Sequence, residues 1–170
     1  MLGTKMEKAL NDQVNAEMYS AYLYLSMEAY FLSLNLRGFA NWMRCQVQEE
    51  LFHAMKMYSF INGRGGRNRL AAIEVPPAEW KSPHDVFKAV LAHERKVTGL
   101  INGLVDLAIK EKDHASNIFL QWFVTEQVEE EDNANDVIRK LTMTGEAPGG
   151  LFMIDKELAA RVFTMPPAQE

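Results

Sequence analysis

The sequence predicts an all-α fold: a four-helix bundle with a long crossover between helices two and three and a short fifth helix near the C-terminus. Three observations carry that prediction. Four long stretches space their apolar residues by alternating steps of three and four, which draws one stripe along a helix. The prolines fall in the connections or at helix ends. The first pair of stretches is echoed by the second, so two helical hairpins are joined by one long connection.

The first helix is expected over about residues 5–34. Thr4-Lys5-Met6-Glu7 has the form of a capping box. The stripe then runs through Met6, Leu10, Val14, Glu17, Ala21, Tyr24, Glu28 and Phe31, so two glutamates occupy core positions. Ser33-Leu34-Asn35-Leu36 breaks the helix, with Asn35 as a cap.

The second helix, about 37–63, carries Met43, Cys45 or Gln46, Glu50, His53, Met57 and Phe60 or Ile61 on its stripe. Gly63-Arg64-Gly65-Gly66 stops it, since glycine takes positive φ without strain. Residues 64–81 form the long connection. At about 3.3 Å per residue, such a segment reaches roughly 60 Å, while a helix of this length spans roughly 40 Å. It can therefore cross the whole bundle. Leu70, Ile73 and Val75 suggest that it packs against the bundle.

Ser82-Pro83-His84-Asp85 opens the third helix, about 83–112, with a serine cap, a proline at the first helical position and an acid at the third. Its stripe reads Phe87, Val90 or Leu91, Glu94, Val97 or Thr98, Ile101, Leu104 or Val105, and Ala108. Lys112-Asp113-His114 marks a tight turn into the fourth helix, about 114–143. There the stripe is Leu120, Phe123, Gln127, Glu130, Ala134, Val137 or Ile138, and Leu141. Gly145 to Gly150, with Pro148, ends it. A fifth, amphipathic helix follows at about 152–163, with Leu151, Phe152, Ile154, Leu158, Val162 and Phe163 on its apolar side. Pro166-Pro167 closes the chain.

Composition bounds the function. The 170 residues fit one domain spanning 1–170, with 48% apolar and 24% charged residues. The net charge of −5 gives no reason to expect nucleic acid. The chain shows neither a secretory signal nor an apolar run of membrane-spanning length. A cytoplasmic location is the expectation. Cys45 is the sole cysteine, which excludes intrachain disulfides and cysteine-based zinc or iron–sulfur sites. It reads as a small core residue.

The polar residues on the stripes carry the chemistry. Glu50 and His53, three residues apart, share a helix face. Burying them requires compensation. Taken alone, Glu-x-x-His also fits an ordinary exposed helix. The repeat decides otherwise. Glu17 lies 33 residues before Glu50, and Glu94 lies 33 before Gln127. Glu50–His53 and Gln127–Glu130 are both steps of three, 77 residues apart. Six polar residues therefore meet on four seams at matching heights. Four carboxylates and one neutral nitrogen suit two divalent cations; without cations some carboxylates must take up protons. An oxygen-rich set with one imidazole favours iron or manganese over structural zinc, and calcium belongs in loops. Two redox metals in a dry site point to chemistry with dioxygen or peroxide. Glu126, Glu129 and Glu131 also read as a solvated acidic run. Tyr24, one turn from Glu28 and two from Glu17, also reads as a core tyrosine hydrogen-bonded to a carboxylate.

The chain resembles the non-haem prokaryotic (bacterial and archaeal) ferritins. The resemblance rests on Asn15-Ala16-Glu17, Ser20-Ala21-Tyr22-Leu23-Tyr24-Leu25-Ser26, Gln48-Glu49-Glu50 with His53-Ala54-Met55, Pro76-Pro77 and Glu126-Gln127-Val128-Glu129-Glu130-Glu131. Carboxylate clusters inside a bundle are known from ferritin-like di-iron proteins. The resemblance implies a ferroxidase centre in which Glu17, Glu50 and His53 hold one iron, with Glu50 bridging. Glu94 and Glu130 would hold the second, with Gln127 beside it. A third iron site would use Glu49, Glu126 and Glu129, with Glu130 shared. Tyr24, and at lower weight Trp122, would be redox-active neighbours. The implied activity is oxidation of Fe(II) by dioxygen or hydrogen peroxide, with Fe(III) stored as mineral inside a homo-oligomeric shell, a 24-mer.

Departures from related families sharpen the reading. Bacterioferritins and rubrerythrins repeat Glu-x-x-His where this chain has Gln127-x-x-Glu130. Phe52 stands where bacterioferritin offers a haem methionine, and Met55 and Met57 read as core, so no haem is expected. A lone cysteine removes a rubredoxin-like module. Mini-ferritins that protect DNA build their iron site between subunits and lack this arrangement. His84, His93 and His114 lie off the seam or at helix ends and are expected not to be ligands. The alternative readings are a di-iron peroxidase or oxygenase of the same superfamily, and a helical interaction protein with polar core residues kept for specificity.

Overall fold

A computed structural model describes residues 1–145 and 147–165. Five helices follow one another: α1 (Thr4–Ser33), α2 (Arg37–Gly63), α3 (Pro83–Lys110), α4 (His114–Thr144) and α5 (Pro148–Leu158). The described residues contain no strand. None of these helices is long and apolar enough to cross a membrane. The expected Pro166-Pro167 stop lies outside the described residues.

The apolar stripes enclose two clusters, one toward each end of the bundle. One gathers the second half of α1 (Met27, Phe31), the start of α2 (Phe39, Met43), the start of α3 (Phe87, Val90), the end of α4 (Val137, Leu141), and Ile154 and Leu158 of α5. The other gathers Met6, Leu10 and Val14 with Met57, Ile61, Ile101, Leu104, Leu120 and Phe123. The shared ends fix the directions: α1 and α4 run one way, α2 and α3 the other. Parallel α2 and α3 need a connection as long as the bundle, and residues 64–82 supply it. Each large side chain taken wholly out of water contributes about 1.5–3 kcal/mol.

Chain reversals use the expected chemistry. Ser82 Oγ accepts from the Asp85 N–H at 3.1 Å. Asp113 caps α4 by accepting from the Ser116 N–H at 3.1 Å. Asn35 and Gly65 turn the chain with φ of 58° and 73°, a region that Asn and Gly enter at low cost.

Four expectations need correction. The Thr4–Glu7 capping box does not form. Helix α1 starts at Thr4 behind Gly3, without a side-chain cap, and a Glu7 oxygen instead accepts from the Arg67 N–H at 3.3 Å. Leu70 and Val75 do not hold the crossover, being 77% and 90% exposed; of its apolar residues Trp80 packs, against the Tyr30 ring. Polar contacts along α1 hold it. Asn11 donates to the Arg67 carbonyl at 3.0 Å and accepts from the Arg69 N–H at 2.6 Å, and Ser26 Oγ donates to the Pro77 carbonyl at 2.6 Å. Met57 is core, but Met55 is 48% exposed, because its position faces away from the seam. Finally, α5 begins at Pro148 and ends at Leu158, four to five residues earlier than expected. Proline suits a first helical turn. Ile154 and Leu158 are buried, whereas Phe152 and Val162 are exposed.

Candidate metal centre

A polar layer separates the two apolar clusters. Glu17, Glu50, His53, Glu94, Gln127 and Glu130 are all buried, each 5% exposed or less. Packing on four seams forces them together, since the flanking stripe residues commit each helix face to the interior. Ligand atoms of Glu17, Glu50 and His53 lie within 4.8 Å of one another, a grouping that could hold a metal ion.

Neighbouring side chains orient the members of this layer. Gln13 Nε2 donates to Glu17 Oε1 at 2.9 Å, while Glu17 Oε2 is buried without a hydrogen bond. His53 Nδ1 lies 3.5 Å from Glu50 Oε2. Burial, with Lys56 nearby, pushes the His53 imidazole down to about 4, so it is neutral near pH 7 and has a lone pair to offer. Tyr24 donates its phenol proton to Glu94 Oε1. Gln127 Nε2 donates to Glu94 Oε2 at 3.2 Å and to the Glu94 carbonyl at 3.2 Å. Gln46 Nε2 donates to Glu130 Oε2 at 2.8 Å.

The electrostatics of this layer suit a cation. Among the described residues, no Arg or Lys comes within ion-pair distance of Glu17, Glu50, Glu94 or Glu130. Burial raises all four carboxyls. Glu94 rises to about 7. Glu50 is driven well up by burial and by Glu94, Glu17 and Glu130, and Glu130 by burial and by Glu94 and Glu49. Like charges around one cavity cannot all ionise without compensation.

The buried Glu28 shows the other solution to the same problem. Arg44 reaches it with Nε at 2.8 Å and with a terminal nitrogen. Glu28 is therefore neutralised by its own arginine and stands outside the polar layer.

Comparison with known proteins agrees with this layout. The Ferritin-like domain family profile matches residues 7–144. The chain belongs to the ferritin family. It is 45% identical over 161 residues to a bacterial non-heme ferritin of Bacteroides fragilis (strain 638R), covering 95% of this chain and 100% of that one. It is 39% identical over 163 residues to a bacterial non-heme ferritin of Staphylococcus aureus (strain USA300), covering 96% and 98%. A solved open-pore ferritin from the hyperthermophilic archaeon Archaeoglobus fulgidus is 55% identical, with a TM-score of 0.95 over 95% of this chain and 100% of that one.

Around the central layer, this ferritin places the remaining candidates unequally. Glu49 and Glu126 are half-buried and Glu129 is exposed. Burial and the charges of Glu129 and Glu49 raise the Glu126 carboxyl. Glu49 is engaged by Arg161 at 2.7 Å. Trp122 meets the His53 ring edge-on at 5.4 Å, and the Lys56 ammonium lies 4.4 Å from the Trp122 ring centre, a cation–π contact. His93 accepts from or donates to Ser20 Oγ at 2.8 Å, His84 lies 3.4 Å from Thr142 Oγ1, and His114 is exposed. Cys45 is buried, as expected.

The sequence reading missed three partners. Gln13 was not singled out, although it lies four residues before Glu17 and thus on the same helix face. Gln46 appeared only as an alternative to Cys45. Arg161 falls after α5, within the stretch expected to be helical, where an arginine beside the apolar face reads as surface.

Proposed function

We propose that the chain oxidises Fe(II) at a di-iron centre inside each bundle and stores the product as ferric mineral within a homo-oligomeric shell. Glu17, Glu50 and His53 hold one iron, with Glu50 bridging; Glu94 and Glu130 hold the second, with Gln127 beside it. The observation that carries the reading is the convergence of Glu17, Glu50 and His53, with an unpartnered Glu17 oxygen, among buried carboxylates that have no Arg or Lys within ion-pair distance among the described residues.

The residues divide the work. Neutral His53 offers nitrogen to one position only, so the two irons are unequal. The carboxylates release their protons as Fe(II) arrives, and four negative charges then balance two divalent cations. Oxidation adds two positive charges to a ligand set matched to the reduced pair, and the mismatch favours departure of the product. Tyr24, hydrogen-bonded to Glu94, stands where a phenol can give an electron to the centre. Glu49, Glu126 and Glu129, with Glu130 shared, form a third position on the way out. Dioxygen or hydrogen peroxide is the oxidant. A 24-subunit assembly and a cytoplasmic location belong to the same proposal. The exposed Tyr22, Leu25, Leu32, Val75 and Phe152 support the shell, since burial of such surface drives association.

Anaerobic Fe(II) titration followed by stopped-flow absorbance tests the centre. Tight binding near two irons per chain and fast oxidation are expected, and Glu50→Ala should abolish both. Unchanged oxidation in that variant would sink the assignment. Native mass measurement with and without iron and salt tests the shell. Fe(II) oxidation without mineral accumulation would turn the reading toward a di-iron peroxidase.

A further inference from the structure

The third position proposed above holds an occupant of its own. Arg161 Nη2 lies 2.7 Å from Glu49 Oε2, with the two side chains 21% and 23% exposed. The guanidinium carbon lies 4.6 Å from the Trp42 ring centre, and Nη1 donates to the Trp42 carbonyl at 3.4 Å. Arg161 sits beyond the end of α5, in non-helical chain. The backbone there is tied to α2 by polar contacts. Asn41 Nδ2 donates to the carbonyls of Leu158 at 3.2 Å and Arg161 at 2.9 Å, and the Cys45 thiol donates to the Arg161 carbonyl at 3.6 Å. Ala159, Ala160 and Val162 are exposed and Phe163 is half-buried, so polar contacts carry much of what holds this segment.

We propose that Arg161 is a positioning residue: an internal counterion that occupies Glu49 until a divalent cation replaces it, coupling cation occupancy to release of residues 159–163 from α2. The inference rests on the third position being a cation site. A guanidinium and a metal ion drawn to the same carboxylate repel each other, so each weakens the other's hold on Glu49. Binding at one end must weaken the other by the same factor, because coupling between two binding events is reciprocal. Cys45 lies under the segment and reports its release.

The test uses the assembled full-length protein and anaerobic Fe(II) as the probe. Calorimetry counts cations per chain, and labelling of Cys45 by a maleimide, read by mass spectrometry, reports the segment. Arg161→Gln should tighten the third Fe(II) roughly fivefold, the scale of an ion pair at the upper end of the solvent-exposed range. Arg161→Lys should restore wild-type affinity by restoring the charge. Glu49→Gln should abolish the third site. Fe(II) should speed Cys45 labelling severalfold in the wild type but not in Glu49→Gln. An unchanged third affinity in Arg161→Gln, a lysine variant that behaves like the glutamine one, or wild-type labelling indifferent to Fe(II) would each overturn the counterion role and leave the third site standing. Two cations per chain in every protein would remove the third site and the counterion role together, while leaving the di-iron centre intact.

Discussion

Asp155 of α5 caps α2 from 117 residues away: its Oδ1 accepts from the Gly38 N–H at 2.7 Å and the Phe39 N–H at 3.0 Å. A carboxylate at a helix N-terminus satisfies otherwise orphaned donors and meets the positive end of the helix dipole. Loss of the cap in Asp155→Ala should cost about 1–2 kcal/mol, read by thermal unfolding, with α5 exchanging its amides faster. Gly38→Ala should undock α5 more completely. A Cβ there would lie 1.6 Å from the Asp155 carbonyl oxygen, a backbone clash that no rotamer relieves.

Gln46 holds Glu130, and Gln13 holds Glu17. Residues that orient a metal's ligands typically matter by about 10–100-fold in affinity or activity. Gln46→Ala should therefore weaken Fe(II) at the Glu130 side by about tenfold or more and spare the His53 side. Gln13→Ala should do the reverse. Stepwise anaerobic titration distinguishes the two, and equal weakening of both steps in either variant would contradict this division.

Arg44→Met should destabilise the bundle by about 1–3 kcal/mol, because it leaves a buried carboxylate unpaired. Iron should not restore the loss, since Glu28 lies outside the polar layer. The double variant Glu28→Gln, Arg44→Met should recover part of it. Denaturant midpoints with and without iron decide the matter; rescue by iron would place Glu28 inside the centre.

The iron-free protein should become less stable as pH rises from about 6.5 to 8. Glu94 rises to about 7 in the fold, and Glu50 and Glu130 are driven well up. The folded chain thus holds protons that the unfolded chain has already released, and stability falls as pH climbs through the folded values. His53 and His93, both lowered to about 4, act in the opposite direction, but only below their unfolded value of 6.5. Above it the carboxylates act without that opposition. Melting temperature against pH in chelator shows the slope, and bound Fe(II) should remove it. A flat or rising profile in chelator would refute the argument.

Much of this was legible in the sequence because helix periodicity reports on burial. Glu17, Glu50, Glu94 and Glu130 stand on stripes made largely of Met, Leu, Val and Phe, and the steps of 33 and three align them. What escaped had no period. Asp155 and Arg161 act on α2 from the far end of the chain, and an acid or arginine beyond the bundle looks like ordinary surface. Leu70 and Val75 misled for a related reason. Apolar content signals burial only where geometry directs it inward, and the crossover is anchored through Asn11 and Ser26 instead. The helix boundary at Pro148 was placed late because its neighbouring glycines suggested a loop.

Among the described residues, the polar layer lies between the two apolar clusters. In an iron-free chain that layer is a seam of mutually repelling or reluctantly protonated groups, so the same four helices thread two separately cohesive halves. On the proposed reading, a metal pair there would act as a rivet. Its presence decides whether the bundle opens as one cooperative unit or as two, and hydrogen exchange should find the chain most easily parted at its middle rather than frayed at its ends.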